Sequence, residues 1–167
     1  KNQISKHLNL KKENISIAPN GYEHLENLKS DDKIIYSDYI LFVGSFTDHK
    51  NFNLLVDLYA ENAEKWPKLI MAGGYNNKVF NSTKIKSDNI TFIQNFSDES
   101  LVSLYENCEA VVFPSKFEGF GIPLLECIYF DKPIICSDIP VFREIGNDYP
   151  NYFDLENIEE LKTYLKM

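Results

Sequence analysis

The run Phe113-Pro-Ser-Lys-Phe-Glu-Gly-Phe-Gly-Ile-Pro-Leu-Leu-Glu126 concentrates more chemistry than any other stretch of the chain. It holds two carboxylates, Glu118 and Glu126, with seven residues between them. Gly119 and Gly121 carry no Cβ, so the backbone there can lie directly against a ligand. Pro123 falls in the first turn of the helix expected to follow, where a missing N–H costs little. The N–H groups around Gly121, Ile122, Leu124 and Leu125, added to the helix dipole, predict an anion site suited to phosphate. A carboxylate beside a sugar accepts hydrogen bonds from two vicinal hydroxyls, the way an acidic residue reads a ribose. The bland reading is a glycine-rich strand-to-helix turn with two solvated glutamates. It covers each of these features taken singly.

Such a loop needs a scaffold that delivers it to one edge of a sheet. Short apolar runs predict strands over Tyr39–Ser45, Lys68–Gly73, Ile90–Gln94, Ala110–Pro114 and Pro133–Ser137. Between them lie helical patterns. Lys50–Glu64 spaces Phe52, Leu55, Leu58, Tyr59 and Ala63 at helical intervals, and Ser97 is placed to cap a helix running through Glu106. Further helices are expected over Ile122–Phe130 and over Ile158–Lys166, the latter with Leu161 and Leu165 on one face, and a short one within 75–88. Strands apolar on both faces and separated by helices predict an α/β fold: a Rossmann-like, doubly wound parallel sheet with helices on both faces. Right-handed crossovers bring the carboxyl ends of the strands to one edge, where ligands of such sheets bind. The places to look for chemistry are therefore Ser45–Lys50, Gly73–Tyr75, Gln94–Phe96, Ser115–Gly121 and Asp138 onward.

Composition narrows the function classes. The 167 residues suit one domain, with 44% hydrophobic and 25% charged residues. A net charge of −8, from 25 acids against 17 bases, opposes broad nucleic-acid binding. Cys108, Cys127 and Cys136 form no CxxC pair and lie in apolar stretches, which predicts buried thiols in a reduced, intracellular setting. The apolar runs are too short to span a bilayer. His7, His24 and His49 do not form a ligand set, and no Asp-x-Asp pair follows a strand to hold Mg²⁺. Ser115 lacks the glycine-flanked elbow of a hydrolase. The scattered tyrosines read as packing residues, and Asp138 as a cap for the next turn.

The spacing of Glu118 and Glu126 around Gly-Phe-Gly resembles the paired-glutamate signature of retaining glycosyltransferases of family 4, also called group 1. These have the GT-B architecture, two Rossmann-like domains facing a cleft. Other segments are similar to the family's in the expected order. They are Ile17-Ala-Pro-Asn-Gly21, the phosphate loop Phe42-Val-Gly-Ser-Phe-Thr-Asp-His-Lys-Asn51, Ile90–Leu104, Pro133-Ile-Ile-Cys-Ser-Asp138 and Tyr152-Phe-Asp154. The resemblance implies the C-terminal, donor-nucleotide-binding domain of such an enzyme. Residues 1–21 would then be an interdomain lead-in and 22–167 the Rossmann-like core, with the acceptor-binding N-terminal domain absent from this chain.

Carried over residue by residue, the resemblance implies that Glu126 holds ribose hydroxyls. It implies that the amides of Ile122, Leu124 and Leu125 receive the diphosphate, with Gly121 permitting close approach. Lys50 would neutralise phosphate on the departing nucleotide, beside Gly44, Ser45 and His49 in the same loop. Glu118 and the Gly119-Phe120-Gly121 backbone would address the donor sugar, and Gln94, Asn95 and Phe96 would flank the base. The catalytic pair would be Glu118 and Lys50, with no cofactor and no metal. The implied partners are a nucleotide-sugar donor and, through the missing domain, an acceptor glycan or lipid-linked glycan, but no nucleic acid. A cytoplasmic location is implied, with the full protein peripherally associated with the inner face of the membrane. Polysaccharide synthesis in bacteria is the commonest task of such enzymes. Ser137-Asp-Ile-Pro-Val-Phe-Arg-Glu144 is similar to the mannosyl- and rhamnosyl-type members, which favours a GDP-mannose-like donor over UDP- and dTDP-sugars.

The sequence departs from the family pattern at Ser45, where many relatives carry arginine after the glycine. Half of the usual cationic phosphate clamp is missing, and His49, Lys116 and Arg143 are the available substitutes. Two alternatives follow: a nucleotide-binding or regulatory module that has lost turnover, or a sugar-nucleotide epimerase half-domain of related architecture. In the glycosyltransferase reading the isolated domain is expected to be inactive alone.

Overall fold

The computed structural model describes residues 2–16, 18, 20–31, 36–62, 65–74 and 88–166. Six strands, β1 (Tyr39–Val43), β2 (Lys68–Ala72), β3 (Ile90–Ile93), β4 (Ala110–Phe113), β5 (Ile134–Ser137) and β6 (Asn151–Phe153), form one sheet in the order β3-β2-β1-β4-β5-β6. Every pairing is parallel. The helices are α1 (Asn2–Leu8), α2 (Phe52–Asn62), α3 (Asp98–Asn107), α4 (Ile122–Tyr129), α5 (Pro140–Gly146) and α6 (Glu159–Tyr164). None of the described helices is long and apolar enough to cross a membrane.

The period-2 pleat splits the strands between two cores. Tyr39, Leu41 and Val43 of β1 pack with Ile70, Val111, Phe113 and Cys136 under α3, α4 and α5. Ile40 and Phe42 face the other way, with Leu69, Met71, Val112 and Ile135 under α2 and α6. A sheet covered on both faces explains why its strands read as unbroken apolar runs. Phe52, Leu55, Leu58 and Tyr59 of α2 are buried as their spacing predicts, and so are Leu161 and Leu165. Ser97 caps α3, its side chain accepting from the Ser100 N–H at 3.3 Å.

The first four strands end one or two residues before their expected ends, because the terminal residues turn into the loops at the sheet's edge, and β5 ends at Ser137 as expected but begins one residue later, at Ile134. Three elements carry no sequence signal strong enough to predict: α1, α5 and β6. Strand β6 has three residues and exists through its pairing with β5. The helix expected within 75–88 lies, but for Asp88, outside the described residues. All three cysteines are buried as predicted. Burial pushes the Cys108 and Cys136 thiols up to about 12, which suits inert packing groups.

Candidate functional site

The strand order reverses between β1 and β4, and the loops leaving their carboxyl ends frame the crevice where such sheets hold ligands. The β1 loop passes through a 3₁₀ turn at Asp48–Lys50 before α2 begins. The β4 loop runs from Pro114 to Gly121, where α4 begins. The two loops are joined twice. The Lys116 N–H donates to the His49 carbonyl at 2.8 Å, and Lys50 Nζ donates to Glu118 Oε1 at 2.6 Å. The Ser115 hydroxyl donates to the same carboxylate oxygen at 2.8 Å. Ser115 is itself held by Ser137 of β5, whose hydroxyl donates to its carbonyl at 2.5 Å. Glu118 is only 8% exposed, and among the described residues its Oε2 receives no hydrogen bond.

Gly121 caps α4 with a left-handed backbone (φ 89°), a conformation that glycine adopts without the Cβ penalty. Glu126 sits one turn on and is 4% exposed. The Tyr105 hydroxyl of α3 donates to Glu126 Oε2 at 2.6 Å, and His24 Nε2 lies 3.1 Å from Oε1. The glutamates are therefore two separately held carboxylates rather than solvated residues of a turn. Gly44 adjoins the Lys50 side chain, since a Cβ there would lie 3.7 Å from its Cδ and Cε.

Several expectations need correction. The Leu124 and Leu125 amides donate to the Gly121 carbonyl at 3.0 and 3.4 Å, because α4 closes its first turn on its own cap. Pro123 has no N–H, so the first-turn donor left for an anion is Ile122. Arg143 is committed elsewhere: its Nε and Nη2 grip the Asp138 carboxylate at 2.7 and 2.8 Å, and its guanidinium lies 3.6 Å from the Tyr152 ring centroid. That grip holds the Asp138 carboxyl below the usual carboxylate range. Asp138 therefore does not cap α5, which has Ile139 at its cap position and no side-chain capping bond. In the β1 loop the Ser45 hydroxyl lies 3.2 Å from Thr47 Oγ1, which lies 3.4 Å from His49 Nε2, a short polar chain in exposed surroundings. Gln94, Asn95 and Phe96 follow edge strand β3 at the same end of the sheet, with Asn95 left-handed (φ 54°) and Phe96 packed against the core under α3. The end of β2 separates them from the Lys50–Glu118 pair.

The family model of the glycosyl transferases group 1 matches residues 26–166, which takes in every strand and both site loops. The chain belongs to this family. Among its group 1 relatives is an O-antigen chain mannosyltransferase of Salmonella typhimurium, 31% identical over 96% of this chain and 49% of that protein. A human alpha-1,3/1,6-mannosyltransferase is 28% identical over 58% of this chain and 28% of its own length. A solved glycosyltransferase from Rickettsia africae superposes with a TM-score of 0.72 over 98% of this chain and half of that one, at 19% identity. Its fold is thus that of the C-terminal half of a GT-B glycosyltransferase. The chain spans about half the length of the Salmonella and Rickettsia proteins.

Within this group 1 domain, the residues that hold the two glutamates escaped the sequence reading. Ser115, three residues before Glu118, carries no sequence mark of a carboxylate partner, and His24 is remote from Glu126 along the chain. Tyr105 carries no signal, since it is 21 residues from its partner and shares a helix pattern with ordinary packing residues.

Proposed function

We propose that this chain is the donor-binding half of a retaining glycosyltransferase that moves a sugar, mannose in the favoured reading, from a nucleoside diphosphate to an acceptor hydroxyl in glycan synthesis. The observation that carries the proposal is the meeting of Lys50 and Glu118 across the switch point, with Gly121 and the α4 N-terminus beside them. A lysine, a carboxylate with one free oxygen and an unbonded helix amide are what a phosphate-linked sugar requires. In this reading Glu126 accepts the ribose hydroxyls, and Ile122 and the loop backbone meet the diphosphate. Glu118 Oε2 is left for the sugar. When the sugar–phosphate bond breaks, charge develops on the departing diphosphate, and Lys50 stands where that charge appears. The acceptor oxygen forms the new bond on the same face of the sugar, and the proton of its hydroxyl passes to the departing diphosphate. No metal or cofactor takes part, and the acceptor is supplied to the cleft by a second domain at the cytoplasmic side of a membrane.

Mannose is favoured by the relatives, which include O-antigen chain and alpha-1,3/1,6-mannosyltransferases, and a GDP-linked donor by the likeness of Ser137–Glu144 to mannosyl-type members. A second reading, a domain that binds nucleotide without turnover, draws on the uncharged side chain of Ser45 and on the commitment of Arg143 to Asp138.

The test is a thermal-shift series with millimolar UDP, GDP, ADP and dTDP in the absence of metal, beside Glu126→Ala. A ligand at ten times its Kd adds about 1.4 kcal/mol, which for a domain of this size raises Tm by roughly 3–5 °C. We expect one nucleotide, GDP in the favoured reading, to give that shift and the variant to lose it. A shift that survives in Glu126→Ala would remove Glu126 from the site. Silence with all four nucleotides, in this chain and in the two-domain protein alike, would overturn the donor-binding reading.

A further inference from the structure

Glu126 is the second carboxylate of the site, and what aims it comes from elsewhere in the fold. Tyr105 is wholly inside the core under α3, its ring stacked on Phe130 with centroids 5.3 Å apart and planes 17° from parallel. From that fixed ring its hydroxyl donates to Glu126 Oε2 at 2.6 Å, a short, charge-assisted bond. Burial, with the Cys127 thiol and the Glu126 carboxylate beside it, pushes the Tyr105 hydroxyl well above its ordinary range, so it remains a donor across the working pH. With Oε2 tied to Tyr105, Oε1 is the oxygen turned toward half-exposed His24.

We propose that Tyr105 is a positioning residue for the nucleotide: its hydroxyl fixes the rotation of the Glu126 carboxylate so that the edge near His24 is presented to two vicinal hydroxyls of a ribose. This rests on the reading of Glu126 as the ribose acceptor. It adds that the selectivity for ribose is built in the core, through a side chain that never touches the ligand. A vicinal diol needs two acceptor directions at a fixed angle, and a carboxylate free to rotate would spread them over several arrangements. Pinning one oxygen removes that freedom before the ligand arrives, so less is lost on binding.

The experiment measures Kd for UDP, GDP and ADP, each beside its 2′,3′-dideoxy form, on the full chain and on Tyr105→Phe. Phenylalanine keeps the ring and its stacking, and a melting curve checks that the variant folds. Tyr39→Phe serves as the structural control, because Tyr39 is an equally buried tyrosine of the same core whose hydroxyl donates to the Leu104 carbonyl at 2.8 Å rather than to Glu126. We expect the wild type to prefer the ribose form by about tenfold or more, from the charge-assisted bonds that the hydroxyls make. Tyr105→Phe should lose most of that preference, with little change in affinity for the dideoxy form, and Tyr39→Phe should keep it. If Tyr105→Phe discriminates as the wild type does, or if Tyr39→Phe loses the preference equally, the positioning role is overturned while the Glu126 reading stands. If the wild type binds ribose and dideoxy forms alike, or if neither this chain nor the two-domain protein binds any of the three nucleotides, the Glu126 reading itself fails and the role of Tyr105 with it.

Discussion

Lys50→Met is expected to lower sugar transfer by the two-domain enzyme on the order of 100- to 1000-fold, the usual cost of deleting one group aimed at developing charge. The same substitution should cost the isolated domain about 3 kcal/mol of stability, because it leaves Glu118 buried with a serine hydroxyl as its remaining partner. For a domain of this size that is roughly 6–12 °C in Tm. The two effects separate in a cycle with Glu118→Gln. A neutral amide no longer needs the cation, so Lys50→Met/Glu118→Gln should recover most of the lost stability and none of the transfer. Differential scanning calorimetry reads the first, and a transfer assay run well below the variant's Tm reads the second. A single variant that melts within a degree or two of the wild type would show that the 2.6 Å pair contributes nothing to holding the loops. Full transfer activity in that variant would remove Lys50 from the chemistry.

Gly73→Ala should be the most destabilising single-methyl change in the crevice. A Cβ at Gly73 would stand 1.8 Å from the carbonyl oxygen of Gly44, and backbone has no rotamer by which to move aside. The neighbouring strands cannot drift apart either. The Gly44 N–H donates to the Ala72 carbonyl at 3.0 Å and the Phe46 N–H to the Gly74 carbonyl at 3.1 Å, continuing the β1–β2 ladder on both sides of the contact. Overpacking of this severity costs about 3 kcal/mol. Because the displaced group is the residue just before the β1 loop, nucleotide binding should weaken with it. Gly74→Ala is the matched control, since a Cβ there meets nothing within 4 Å and should change stability by less than about 0.5 kcal/mol. Equal melting temperatures for the two variants would mean that the close approach of β2 to Gly44 does not constrain the fold.

The chain's own pattern determined a good deal. Short apolar runs of up to five residues, punctuated by Gly44, Gly73 and Pro114 and alternating with helical spacing, point to a parallel sheet covered on both faces, which buries both sides of each strand. The order of the segments around Glu118 and Glu126 was enough for the family, because motif spacing within one loop is local and survives in one dimension. Lys50, which the family resemblance points to, meets Glu118, 68 positions later.

Other features belong to the tertiary structure alone. That Arg143 is locked to Asp138, rather than replacing the arginine missing at Ser45, depends on the path of the chain from β5 into α5, and α5 is a seven-residue helix with only two buried residues to announce it. That Leu124 and Leu125 spend their amides on Gly121 depends on how tightly α4 closes its first turn. The fate of Glu126 shows the distinction most clearly. Its type and position can be read along the chain, but the orientation of a carboxylate is set by the groups that reach it from other elements. Here those are a tyrosine on the preceding helix and a histidine ahead of the first strand. Local spacing specifies which chemical groups arrive at the crevice, whereas contacts distant in sequence decide which of their atoms remain free to meet a ligand.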